Sequence, residues 1–312
     1  MIGYELGVFD ILRESDLQKL DRTIQLSEQD DAEAFGLGIY DDNLCEILEG
    51  NKPLKNQEDR MAIMQQIRGI DFVFSVNSLD QKLVEQKAAK AYKEYLKELN
   101  EKKLKDVEKT YDLGYAPGTY DLFHKGHLDN LMMAAQQSKR LVVGVKADEL
   151  VVEHKGRTPM MTADERMDIL RHFKFVTDVY TYYTRDLHVA NEYIKSKYSK
   201  GIDAVFLGSD LKNDFKKTEG INIVYTPRDP KVMKTRSTTA YRKLCLDRNQ
   251  VSSYTGIKLD EQLTKNSEIG KNRKEDVEHT KKKRKYFLDF LFLFCILFFI
   301  LQKINYIKYE RW

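Results

Sequence analysis

The sequence predicts an α/β protein: two tandem copies of a parallel-sheet unit, the first truncated and degenerate, followed by a C-terminal hydrophobic helix. Three observations carry this. Tyr4–Arg13 (YELGVFDILR) aligns with Tyr115–His124 (YAPGTYDLFH) at an offset of 111, and Gly50–Pro53 with Glu58–Met61 aligns with Gly156–Pro159 and Asp164–Met167 at an offset of 106. A repeat this long implies two copies of one supersecondary unit. Short apolar runs alternate with stretches of helical periodicity, the rhythm of βαβ units in a sheet covered on both faces. Finally, the sixteen residues Tyr286–Leu301 are apolar apart from Asp289.

In the first copy a strand ends in the turn at Gly7, and further strands are expected at Gly36–Tyr40 and Ile70–Val76. The five residues by which the offsets differ fall in an acidic loop, Ser27–Ala34. Val84, Ala88, Ala91, Tyr95 and Leu99 recur at helical spacing, so Leu79–Val107 is read as a charged helix covering this copy and bridging to the next. The second copy begins with a strand ending at Gly118, then a helix Gly126–Gln137, a strand Leu141–Val145, a loop, a helix Thr162–His172 and a strand Val176–Tyr182. A helix Asp186–Tyr198, strands Ala204–Gly208 and Ile221–Tyr225, and a helix Thr238–Leu246 complete a Rossmann-like order. The first copy has no counterpart of Ala204–Gly208, which leaves a sheet edge expected to be covered by the second copy. The expected boundaries are residues 1–78 for the degenerate copy, 79–110 for the linker helix, 111–247 for the complete copy, 248–285 for a basic polar linker and 286–307 for the hydrophobic segment.

Composition narrows the partners. Lys plus Arg number 52 against 49 Asp plus Glu, a net charge of +3 over 312 residues. That is not the concentrated basic face of a nucleic-acid binder, so no nucleic-acid partner is expected. The excess is local: residues 265–285 hold nine basic and four acidic side chains. Cys45, Cys245 and Cys295 form no C-x-x-C pair, which excludes a disulfide scaffold or zinc ribbon and fits a reducing compartment. The N-terminus has no basic segment leading into an apolar run, so no signal peptide is expected. As a helix, Tyr286–Leu301 would be about 24 Å long, short against a ~30 Å hydrocarbon core, with Lys285 and Lys303 placed to snorkel. With Lys281–Lys285 before it, the segment reads as an anchor or interfacial helix, placing the protein in the cytoplasm, attached to the inner face of a membrane.

Chemistry concentrates in Gly118–His127 (GTYDLFHKGH). His124 and His127 follow a strand and open a helix, where backbone N–H groups and the helix dipole favour phosphate. Two histidines at such a start each offer a hydrogen bond to an oxygen that gains charge in a transition state.

These residues resemble the signature of the cytidylyltransferase branch of the nucleotidyltransferase superfamily, the group of glycerol-3-phosphate, choline-phosphate and ethanolamine-phosphate cytidylyltransferases. Three further stretches are similar: Asp148-Glu149-Leu150 through Lys155-Gly156 to Glu165-Arg166, Phe206–Asp210, and Arg236-Ser237-Thr238-Thr239. The resemblance implies a nucleotidyltransferase fold and transfer of CMP from CTP to a phospho-alcohol with release of pyrophosphate, in phospholipid or cell-envelope synthesis. It implies catalytic roles for His124, His127 and Lys155. It further implies nucleotide contacts from Gly118, Thr119, Gly126, Ser237, Thr238 and Thr239, and from Arg228 or Arg236. Substrate contacts fall to Asp121 and Asp210, and Mg2+ accompanies the nucleotide. Relatives are commonly dimers; here either a homodimer forms or the first copy takes the second subunit's place.

Departures leave the acceptor open. The family's R-Y-V-D-E-V appears as Lys174–Val179, Ser209 replaces the first Asp of G-D-D, and the sole tryptophan is Trp312. No residue visibly reads the base, so an ATP-dependent adenylyl transfer remains an alternative, as does a non-catalytic, membrane-tethered nucleotide-binding scaffold. Tyr180, Tyr182 and Tyr183 suit either an aromatic cage for a choline headgroup or a packed strand. In the first copy His124 is matched by Arg13, Gly126 by Ser15, His127 by Asp16 and Lys155 by Glu49, a set that would not hold a triphosphate.

Overall fold

The computed structural model describes residues 2–102, 108–209, 218–227 and 237–247. The first copy runs β1 (Ile2–Gly7), α1 (Glu14–Gln29), β2 (Ala34–Tyr40), α2 (Asp42–Glu49), α3 (Gln57–Met64), β3 (Phe72–Val76) and α4 (Gln81–Lys102). The second runs β4 (Tyr111–Gly118), α5 (Lys125–Gln137), β5 (Ser138–Lys146), α6 (Asp148–Lys155), α7 (Ala163–Arg171), β6 (Asp178–Tyr182), α8 (Leu187–Tyr198), β7 (Ala204–Gly208), β8 (Asn222–Thr226) and α9 (Thr238–Asp247). The chain is α/β, and every strand pairing within the two sheets is parallel. The order is β1-β2-β3 in one sheet and β6-β5-β4-β7-β8 in the other.

Two details differ from the expectation, and the covering helix after β3 is where it was expected. The acidic insertion is helical in its first part, because α1 continues through Ser27 to Gln29 before the turn. Residues 148–155 form a helix where a loop was expected, with Asp148 and Glu149 in the first turn, His154 and Lys155 in the last, and Gly156 as a left-handed cap at φ +63°. That charge order suits the helix dipole, and glycine bears positive φ without a Cβ penalty. The helix after β3 is α4, which lays Val84, Ala88, Tyr92 and Tyr95 on Phe72, Phe74 and Val76. Residues 103–107 of the expected linker, and the segments 248–285 and 286–307, lie outside the described residues. Among the described residues no helix is long and apolar enough to cross a membrane.

Each copy has a buried arginine at the same place. Arg60 donates to the carbonyls of Lys55 (3.0 Å), Val8 (2.7 Å) and Tyr40 (2.8 Å), and to the Asp42 carboxylate (2.6 Å). Arg166, 106 residues on, donates to the carbonyls of Met161 (3.1 Å), Thr119 (2.6 Å) and Lys146 (2.9 Å), and to Asp148. Both are wholly buried. Each guanidinium thus ties two strand ends, a helix start and a loop into one corner, using a donor fork that no other side chain offers. Two aspartates complete the match. Asp10 accepts from the backbone of Leu54 and Lys55, and Asp121 from that of Met160 and Met161.

The copies meet face to face. Ile67 and Phe173, also 106 apart and both fully buried, form an antiparallel bridge. The Arg68 N–H donates to His172 O (2.8 Å) while the Lys174 N–H donates to Gln66 O (2.9 Å). The side chains repeat the exchange, Arg68 reaching Val176 O and Lys174 reaching Ile70 O. Helix α1 packs on α7 as α3 packs on α5. These contacts are images of one another under exchange of the copies, a pseudo-twofold arrangement about the bridge, while others, such as His172 Nε2 with Asp21 (3.1 Å), have no image. The β1 edge is not what the second copy covers: β1 stays half-exposed throughout, with Glu5 paired to Lys19. A charge on an edge strand is itself a protection against further pairing.

Removing residues 1–107 is therefore expected to expose Phe173 and the faces of α5 and α7, lowering the melting temperature by about 10 °C or causing aggregation. Scanning fluorimetry with light scattering checks this. A shortened chain that stayed monomeric at an unchanged melting temperature would show that the first copy contributes no stability to the second.

Candidate active site

The site forms at the carboxyl end of β4, where parallel sheets of this order open a crevice. Gly118 ends the strand, and Tyr120 and Leu122 then take φ of +57° and +48°, a turn that carries strain in non-glycine residues. The Tyr120 ring packs back under the turn and its hydroxyl donates to Ala116 O (3.0 Å). The equivalent Phe9 also has positive φ, +51°, so the first copy keeps the turn without the histidines.

His124 is the N-cap of α5. Its Nδ1 accepts the Gly126 N–H (3.1 Å), and this fixes the tautomer: in the neutral ring the proton sits on Nε2. A Cβ on residue 126 would stand 3.1 Å from the His124 ring, so glycine lets the cap close. Nε2 lies 3.3 Å from Thr238 Oγ1, whose own proton goes to Asp121 O (3.1 Å). The starts of α5 and α9 therefore meet at this contact, bringing the positive ends of two helices to one point. His127, one turn into α5, stacks on His124 with centroids 3.8 Å apart and is flanked edge-on by Tyr120 at 5.3 Å. His124 is 4% exposed, and His127 is half-buried.

Lys155, exposed at the end of α6, reaches across to donate to Thr119 Oγ1 (3.2 Å). Ser237 caps α9 through the Ala240 N–H (3.3 Å), and Thr239 is exposed beside it. The structure thus brings together Gly118, Thr119, His124, Gly126, His127, Lys155, Ser237, Thr238 and Thr239. Asp121 is 1% exposed, with its carboxylate accepting from the backbone of Met160 and Met161. Burial pushes its carboxyl above the usual range, against those two N–H groups and the nearby Arg166 and Arg242. Arg228, Arg236 and Asp210 lie outside the described residues. Among the tyrosines, Tyr180 stacks on Tyr115 at 5.8 Å and meets Tyr193 at 4.5 Å, a packed ladder, while Tyr183 is exposed.

Three side chains at the site were assigned no role from sequence. Arg166 holds the carbonyl of Thr119 in the turn itself. Arg242, mostly buried on α9, donates to Thr158 O (2.9 Å). Tyr241 sets its ring 5.8 Å from that of His124. Only Arg166 carried a signal, since it repeats Arg60 within the aligned Asp-Arg-Met and Glu-Arg-Met.

Chemically, the crevice offers N–H and O–H donors and a lysine, a set suited to phosphate oxygens. Among the described residues no three His, Cys, Asp or Glu side chains converge as a metal site.

Residues 115–258 match the Cytidylyltransferase-like family. The chain is 34% identical over 107 residues to an FAD synthase of Thermococcus kodakarensis, a stretch covering 34% of this chain and 71% of that protein. It is 40% identical over 62 residues to an FAD synthase of Pyrococcus abyssi, covering 20% of this chain and 42% of that protein. It is also 43% identical over 67 residues to choline-phosphate cytidylyltransferase A of Homo sapiens, covering 21% of this chain and 18% of that protein.

Proposed function

The chain belongs to the cytidylyltransferase-like family of nucleotidyltransferases, and from that premise we propose that its second copy transfers CMP from CTP to a phospho-alcohol, releasing pyrophosphate. The observation that carries this is the His124–His127 stack at the start of α5, with Nε2 of His124 aimed at Thr238 on the start of α9. A phosphate oxygen of the acceptor attacks the α-phosphorus, and the bond from that phosphorus to the bridging oxygen of pyrophosphate breaks. No protein nucleophile is needed: the site aligns two anions and stabilises the charge that grows on the equatorial oxygens.

In this reading His124 donates from Nε2, exchanging its hydroxyl partner Thr238 for a phosphate oxygen. His127 donates beside it, and Lys155 neutralises the triphosphate from the opposite wall. Ser237, Thr238 and the start of α9 receive the departing phosphates. Mg2+ would accompany the triphosphate as part of the substrate and would supply further neutralisation of its charge. The glycerol, ethanolamine and choline phosphates are the acceptor candidates, and the choline-phosphate relative supports that class.

The FAD synthase relatives favour one other reading, transfer of AMP from ATP, since the crevice grips phosphates and its described residues include no evident reader of the base. A panel of CTP and ATP against glycerol phosphate, ethanolamine phosphate and choline phosphate, followed by pyrophosphate release, separates the two. The expected result is acceptor-dependent release with CTP at least tenfold faster than with ATP. Acceptor-dependent release with ATP alone would replace the first reading by the second. No release with any pair would count against both.

A further inference from the structure

Lys55 belongs to the copy that has lost its histidines, yet it faces the site of the other. It is 2% exposed, and its backbone N–H donates to Asp10 Oδ1 (2.9 Å). Its ammonium donates to the Asp10 carbonyl, stands 3.9 Å from Asp10 Oδ1, and lies 5.5 Å from the centroid of the Tyr241 ring on α9. At the equivalent place in the second copy stands Met161, also buried, with Asp121 gripping the same backbone. The corner therefore does not require a cation, since a thioether fills it equally well. A desolvated ammonium costs more than an apolar side chain of similar length unless its charge is used.

The difference between the two places is the neighbour. Tyr241 is 2% exposed, its ring 5.8 Å from that of His124, and it sits one turn after Thr238, the residue that meets His124 Nε2. An unbroken series of contacts runs from Lys55 through Tyr241 to the His124–Thr238 pair.

We infer that Lys55 is a positioning residue for the nucleotide site: the degenerate copy lends a buried cation that seats Tyr241, and so sets the start of α9 against His124. This rests on the reading of the crevice as a triphosphate site. The ammonium attracts the face of the ring, an interaction strengthened by the absence of water. With Tyr241 held, Thr238 Oγ1 keeps its place opposite Nε2 before any ligand arrives. The first copy thereby keeps a part in the reaction without binding anything itself.

The test measures affinity for CTP and for ATP, each with Mg2+, by calorimetry on the full chain. Lys55→Met installs the residue that the second copy already buries at this place, and Lys55→Gln keeps a donor for the Asp10 carbonyl while removing the charge. Both are expected to melt within a few degrees of wild type, to weaken the better-bound triphosphate about tenfold, and to lower kcat less than threefold. Tyr241→Leu is expected to weaken binding similarly, and the Lys55→Met/Tyr241→Leu pair to add little to either single change, because the two act through one contact. Unchanged affinity in folded Lys55→Met and Lys55→Gln, or fully additive losses in the pair, would overturn the inference. If Lys55→Met does not fold, Lys55→Gln alone decides. A folded wild type that binds neither triphosphate would instead remove the function proposed above, and this inference with it.

Discussion

His127→Ala is expected to lower kcat by two to three orders of magnitude, about 3–4 kcal/mol of transition-state stabilisation, with the melting temperature nearly unchanged. The side chain sits one turn inside α5, where alanine is a good helix former, so little stability is lost. His124→Ala is expected to cost as much activity and, in addition, about 1 kcal/mol of stability, because Nδ1 caps the Gly126 N–H. The two variants thus separate by melting temperature while matching in kcat. Arg13→Ala, at the place of His124 in the first copy, is the control and should leave kcat within twofold. Steady-state kinetics beside scanning fluorimetry checks all three. Loss of turnover in Arg13→Ala with retention in His127→Ala would place the chemistry in the wrong copy.

Arg166→Met carries the second large effect. The guanidinium is wholly buried and serves three backbone carbonyls and the Asp148 carboxylate. Methionine fills much of the space but takes the guanidinium's donors from all four acceptors, a loss of about 3–5 kcal/mol, or roughly 10 °C in melting temperature for a domain of this size. Because one of those carbonyls is that of Thr119, the turn leading to His124 is released as well. We therefore expect kcat/KM to fall more than a hundredfold even at temperatures where the protein remains folded. Arg60→Met removes the matching brace from the first copy. It should cost similar stability but leave kcat within a few-fold, since the turn it holds carries no histidines and its bond to the Lys55 carbonyl bears on binding and not on turnover. Chemical denaturation of both variants, with kinetics well below the transition, distinguishes them. Equal losses of activity from the two would contradict the division of roles between the copies.

Much of this arrangement is legible in the sequence, for physical reasons. The parallel strands are apolar on both faces, so Leu141–Val145 and Ala204–Gly208 stand out as short unbroken runs. The spacing of His124, Gly126 and His127 maps directly onto a helix start, because capping is a local matter of a few residues. Helix α6 is not legible in that way: only Leu150 and Val151 of its eight residues are buried, too few to establish a period. The contact of Lys55 with Tyr241 joins residues far apart in the chain, and nothing local to either announces it. The pseudo-twofold contact is an intermediate case. The repeat implies that two like units exist, but their facing through Ile67 and Phe173 depends on which side chains the sheets leave uncovered. Asp121 shows a further limit, since nothing local to it announces that the backbone of Met160 and Met161 donates to its carboxylate.

The central claim is that the second copy breaks the bond between the α- and β-phosphates and keeps the nucleotidyl group on the acceptor. Radiolabel in the α- or γ-phosphate of CTP, and in parallel of ATP, with a mixture of glycerol, ethanolamine and choline phosphates, tests it most directly. The account predicts that α-label appears in a new acceptor adduct and γ-label in pyrophosphate, with both signals lost in His127→Ala. Recovery of γ-label on the acceptor, or of α-label only as free nucleoside mono- or diphosphate, would contradict it.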